Sequence, residues 1–104
     1  REFLYVTDAA NGIVLAAKKY DKPDPMNIGT CHEVKIADLA ETVKELTGYE
    51  GEIVWDTEKP NGQPRRCLDI ERAKREIGYE PEVDFVNGLR STVLWYLGNR
   101  HEIV

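Results

Sequence analysis

The stretch Lys35–Asp56, KIADLAETVKELTGYEGEIVWD, sets the fold class, because two periodicities meet in it. Ile36, Leu39, Ala40, Val43 and Leu46 recur at i, i+3, i+4 and i+7, which predicts an amphipathic helix closed by Gly48. EIVWD (Glu52–Asp56) follows with branched and aromatic residues and predicts a strand. Working outward, REFLYV (Arg1–Val6) and MNIG (Met26–Gly29) carry the same strand signature. Asp8 predicts an N-cap for a helix whose inward residues are Ala9, Ile13, Ala16, Ala17 and Tyr20, stopped by DKPDP. Asp69 predicts a cap for IERAKREIG, ending at Gly78. Asp84 caps a last helix with Phe85, Leu89, Val93, Tyr96 and Leu97 inward. Trp55 and Trp95 fall on apolar faces and are expected in the core, as are Tyr5, Tyr20 and Tyr96. Short strands alternating with about four helices predict an α/β fold with too few strands for a doubly wound sheet.

The chain has 104 residues, 41% hydrophobic and 32% charged, which fits one (sub)domain spanning residues 1–104. A net charge of −5 argues against general nucleic-acid binding, which needs a basic face. No apolar run approaches the roughly 18 residues that cross a bilayer, so no membrane partner is expected. With no signal peptide in view, the expected location is cytoplasmic. A first residue that is arginine, opening directly on a strand pattern, suggests that the natural start is missing. Cys31 and Cys67 match no CxxC pattern and are expected as reduced thiols rather than a disulfide.

Several chemistries are absent. The glycines form no GxGxxG and no P-loop. No tyrosine is followed by lysine four positions later. Ser91, the one serine, lies inside a helical pattern instead of a nucleophile turn. Cys31 and His32 are adjacent and have no second cluster to complete a zinc site. This chain is therefore expected to hold no cofactor or metal and no catalytic residues.

One segment does point to a ligand. In KPNGQPRRCLD (Lys59–Asp69), Pro60 and Pro64 fix φ while Gly62 is free to take positive φ, so the segment is a shaped loop. Arg65 and Arg66 come where it ends. Guanidinium forks suit phosphate, and the alternative is a solvated turn.

REFLYVTD, then NIGT before an amphipathic helix, then DTEKPNGQPRRCLD recur in this order in the C-terminal part of the nucleotide-sugar epimerases and dehydratases of the extended short-chain dehydrogenase/reductase superfamily. GYEGEIVWD and LRSTVLWYLGN make the resemblance closest to the GDP-L-fucose synthase branch, for which KPxGxPR is the sharper marker. The resemblance covers nearly the whole chain. It implies an α/β substrate domain whose Rossmann partner, carrying NADP and the Tyr/Lys pair, is not encoded here. In the intact enzyme the family chemistry epimerises C3 and C5 of a 4-keto-6-deoxy sugar and delivers hydride to C4. The resemblance also implies that Arg1, opening the REF motif, pairs with the pyrophosphate of a GDP-sugar. Arg66, after the Pro-Arg pair, takes a phosphate or nucleotide contact where the family has lysine. Asn61 stands where aspartate is frequent, near ribose and base. Arg65 is expected to pack or form a salt bridge, and Asn27 to cap backbone or touch the sugar. Cys31 replaces a glycine of the family pattern, which is awkward if that turn needs positive φ. A different nucleotide-sugar epimerase or dehydratase is the alternative within the superfamily. A non-catalytic module self-associating through bare apolar surface is the alternative outside it.

Overall fold

Within residues 1–102, local hydrogen bonding delivers four helices, α1 (Val6–Lys19), α2 (Ile36–Thr47), α3 (Glu71–Ile77) and α4 (Phe85–Asn99). The structure is a computed structural model describing residues 1–102. Gly48 and Gly78 end α2 and α3 at φ 68° and 66°, in the left-handed region where a side chain would be strained. After α2, the Gly48 amide donates to Glu45 O and the Tyr49 amide to Lys44 O, satisfying two carbonyls left over at the helix end. Asp84 caps α4 as expected, its carboxylate accepting from the Asn87 amide at 3.0 Å. Asp69 acts one residue further out than expected, outside the Ile70 cap position, and accepts from the Glu71 amide at 2.9 Å.

The helices pack as two pairs, α1 with α3 and α2 with α4. The first pair encloses the core of Ile70, Ala73, Ile77 and Tyr79, with Leu15, Ala16, Tyr20, Met26, Ile28 and Leu68 around it. Tyr79 is fully buried, and its hydroxyl donates to Gly29 O at 2.8 Å, so the ring is packed and its polar end satisfied. The same burial, with the Asp8 and Glu2 charges behind it, holds the phenol above its ordinary pKa.

The inward face of α1 differs from the hydropathy pattern. Ile13 and Ala17 are exposed, while Asp8 and Gly12 are buried. The reason is close approach: a Cβ at Gly12 would lie 2.8 Å from Ile28 Cγ2 and 3.2 Å from Tyr79 Cδ2. Only a residue without a side chain fits there, so the helix turns that stripe inward. Nor does Asp8 cap α1, which starts two residues earlier, at Val6. Its buried carboxylate instead accepts from the Glu82 and Val83 amides at 3.1 and 3.0 Å, tying α1 to the segment leading into α4.

The expected strands are corrected. Among the described residues there is no strand, only a single antiparallel bridge between Glu2 and Glu33. REFLYV, MNIG and EIVWD have β-prone residues, but a strand exists only where a ladder partner takes its amides and carbonyls. Arg1 finds one, its backbone exchanging bonds of 2.7 and 2.8 Å with Val34. Val54 and Trp55 have none and stand exposed. The core assignment of Trp95 and Tyr96, and the inward assignment of Leu97, are overturned too, since all three are about half exposed or more.

Candidate functional site

The site is built around Glu2. Its carboxylate accepts from the Thr30 amide at 2.6 Å and from the Leu68 amide at 2.7 Å, one oxygen to each. One side chain thus joins the first residues, the NIGT turn and the end of the proline loop. Gly29 makes this possible, because a Cβ there would lie 2.0 Å from the Glu2 Oε1. The sequence offered a weak sign of this role in an acidic residue set inside a β-prone run.

Above this clamp, Arg1, Glu2, Leu4, Ile28, Arg66 and Leu68 line a cleft of about 350 Å³. Arg1 and Arg66 are therefore brought to one concavity from opposite parts of the chain. The Arg1 guanidinium donates to the Gln63 carbonyl, and its Nη2 lies 3.6 Å from where a Cβ on Gly62 would stand. Gly62, at φ 66°, lets the loop curl over that guanidinium. Asn61 sits exposed on the same loop and does not line the cleft.

The adjacent arginines divide their work. Arg65 forms a two-pronged bond to Glu33, Nε to Oε1 and Nη2 to Oε2, both 2.6 Å. That bond pulls the Glu33 carboxyl below its ordinary pKa and raises that of Arg65. Arg66 makes no ion pair among the described residues, so its guanidinium remains available to a bound anion. Nothing in the sequence marked Glu33 as the partner of Arg65. Asn27 uses its amide on backbone, Nδ2 donating to Asp69 O at 3.3 Å.

Cys31, at φ 56°, sits in the left-handed conformation that its standing in place of the family's glycine brought into question. The Cys67 thiol is pushed up to about 11 by desolvation first, then by the neighbouring Glu2 carboxylate and by the Cys31 thiol. Among the described residues no three His, Cys, Asp or Glu side chains gather to hold a metal. The helix N-termini follow Tyr5, Lys35, Ile70 and Asp84, none of them a glycine-rich turn. These residues do not fit the pyrophosphate of a dinucleotide. No helix is long and apolar enough to cross a membrane among the described residues.

A second, apolar hollow of about 610 Å³ opens between residues 3–6 and α4, with Leu39 of α2 on its wall, lined by Phe3, Tyr5, Leu39, Phe85, Leu89 and Trp95 among others. It carries no cation and is chemically unlike the arginine cleft.

No family model matches the sequence. Curated relatives do. The chain is 42% identical over 99 residues to GDP-L-fucose synthase 1 of Arabidopsis thaliana and 40% over 99 residues to a probable GDP-L-fucose synthase 1 of Oryza sativa subsp. japonica, covering 95% of this chain in each case. It is 36% identical over 96 residues, 92% of its length, to UDP-glucuronic acid decarboxylase 1 of Xenopus tropicalis, covering 23% of that protein. It spans about 30% of the length of the two synthases. In three dimensions it is similar to the Bordetella bronchiseptica enzyme WbmF in complex with NAD+ and UDP, with TM-score 0.86 and 34% identity over 99% of this chain and 31% of that one. It is also similar to a UDP-glucose 4-epimerase of Thermotoga maritima with UDP-glucose, with TM-score 0.88 and 31% identity over 96% of this chain and 32% of that one.

Proposed function

We propose, for a chain homologous along nearly its whole length to GDP-L-fucose synthases and folded like the matching part of extended short-chain dehydrogenase/reductase epimerases, that it is the C-terminal, nucleotide-sugar-binding part of an NADP-dependent epimerase/reductase. Residues 1–104 act as one unit that holds a GDP-linked sugar. Arg1 and Arg66 neutralise the diphosphate, and Asn61, at the rim of the loop, meets ribose or base. The observation carrying this reading is the shared cleft: two guanidinium groups 65 positions apart in sequence converge, while the intervening Arg65 is spent on Glu33. Against an overall charge of −5, two converging cations are a local anion site.

The role is positioning. Fixing the diphosphate fixes the sugar relative to groups contributed from elsewhere, and such orientation is worth several kcal/mol of a barrier. The nicotinamide cofactor of the intact enzyme binds outside these residues, which supply neither its cradle nor a proton-transfer pair. Copies of the intact protein associate through exposed apolar surface such as Val6, Ile13, Leu94 and Trp95.

Calorimetric titration with GDP and UDP tests the assignment. One charge-assisted phosphate bond contributes roughly 1.5–3 kcal/mol, so Arg66→Ala weakens GDP binding by about 10- to 150-fold. Arg65→Ala, which removes a surface pair, leaves it within about threefold. Equal losses in the two variants would overturn the division of roles. Tighter binding of UDP than GDP would favour the second reading, a UDP-sugar enzyme of the same superfamily, to which the solved structures with UDP and UDP-glucose lend weight.

A further inference from the structure

The Glu2 clamp brings together more than two loops. Its two oxygens hold the amides of Thr30 and Leu68, and a cysteine lies directly beside each, Cys31 after Thr30 and Cys67 before Leu68. One carboxylate therefore fixes two cysteine-bearing segments that are 36 positions apart in sequence. The clamp sets the Thr30 and Leu68 amides on the two oxygens of one carboxylate, so the adjoining cysteines sit on segments held side by side, and Cys31 is among the groups that bear on the Cys67 thiol. Both residues are exposed, so a small reagent in solution reaches them. Cys31 is held in the left-handed backbone conformation that favours glycine.

We propose that Cys31 and Cys67 form an oxidisable dithiol, a modification site that closes to an intramolecular disulfide under small-molecule disulfide oxidants. The ring so formed contains α2, the EIVWD segment and the proline loop as far as Cys67, the residue next to Arg66. The proposal stands apart from any role in nucleotide-sugar binding.

The chemistry is two successive exchanges. The Cys31 thiolate attacks one sulfur of the oxidant, whose S–S bond breaks, and the displaced thiolate takes up a proton. Cys67 then gives its proton to solvent and attacks the Cys31 Sγ. The mixed disulfide breaks, and the second thiolate leaves and is protonated. Two protein thiols are oxidised and one oxidant disulfide is reduced to two thiols. Cys67 is the group kept protonated by its surroundings, which leaves the first attack to Cys31.

The test uses the reduced protein and glutathione disulfide, once in native buffer and once in concentrated urea, with peptide mapping by mass spectrometry over time. The expected product in native buffer is one Cys31–Cys67 cross-linked peptide pair and no stable glutathione adduct. It forms at least about tenfold faster than in urea, because the fold raises the local concentration of one thiol at the other. Cys31→Ser and Cys67→Ser each retain a stable adduct on the remaining cysteine. Stable adducts on both cysteines of the unaltered protein would overturn the proposal. So would linkage as fast in urea as in buffer, or disulfides only between molecules.

Discussion

Replacing Asp8 by alanine removes the one buried carboxylate among the described residues, and with it the tie between α1 and the entry to α4. The side chain is 4% exposed and accepts from two backbone amides, at 3.0 and 3.1 Å. Hydrogen bonds to a charged group contribute roughly 1.5–3 kcal/mol each, and water cannot easily replace the acceptor at a buried position. A carboxylate in the first turn of a helix adds about 0.3–1 kcal/mol through the helix dipole. Asp8→Ala is therefore expected to cost about 3–6 kcal/mol. Asp8→Asn keeps one acceptor and turns an NH₂ toward the other amide, so it costs about half as much. A domain of this size is stable by roughly 5–15 kcal/mol, so the alanine variant loses a large fraction. With a urea slope of about 2 kcal/mol/M, its unfolding midpoint falls by about 2 M. Circular dichroism in urea measures this, and hydrogen exchange at the Glu82 and Val83 amides reports the site directly. A loss below about 1 kcal/mol for the alanine variant, or equal losses for alanine and asparagine, would refute the reasoning.

Gly29→Ala places a methyl group at the Glu2 Oε1 and is expected to cost about 3 kcal/mol, read as a lowered urea midpoint together with faster exchange at the Thr30 and Leu68 amides. On the acid side, Glu33, Glu76 and Asp84 are held below ordinary carboxylate values, by Arg65, Lys22 and the Asn87 amide respectively. The unfolded chain binds more protons in that window, so their contribution is full above about pH 5 and is lost as pH falls through the lowered folded values. Midpoints measured from pH 7 to pH 3 should decline less in a Glu33→Gln, Glu76→Gln, Asp84→Asn variant than in the unaltered protein. At pH 8 a thiol at about 11 is only about a thousandth ionised. Iodoacetamide followed by peptide mapping should therefore label Cys31 well before Cys67, and equal rates would count against that assignment.

The extent to which the sequence alone was sufficient follows the range of the forces involved. The α2 stripe, the Gly48 and Gly78 stops and the Asp84 cap were legible because an α-helix closes its hydrogen bonds within four residues. The motifs REFLYV, NIGT and KPNGQPRR pointed to a nucleotide-sugar epimerase, and the relatives bear that resemblance out. The proline loop was legible as a loop for the same local reason, since Pro60, Gly62 and Pro64 restrict or free their own φ.

Tertiary structure decided everything that needed a distant partner. Three segments with strand composition gained only one bridge, because a ladder depends on which backbone lies alongside. Ile13 looks inward by hydropathy, yet Gly12 turns in, because close packing against Ile28 and Tyr79 selects for the absence of a side chain. Asp8 looked like a cap and became a cross-tie. Arg65 and Arg66 are chemically identical neighbours in sequence, and only Glu33, 32 positions away from Arg65, neutralises one and leaves the other facing the cleft. Residue type fixes what a group can bond to, whereas the folded chain fixes what is within reach.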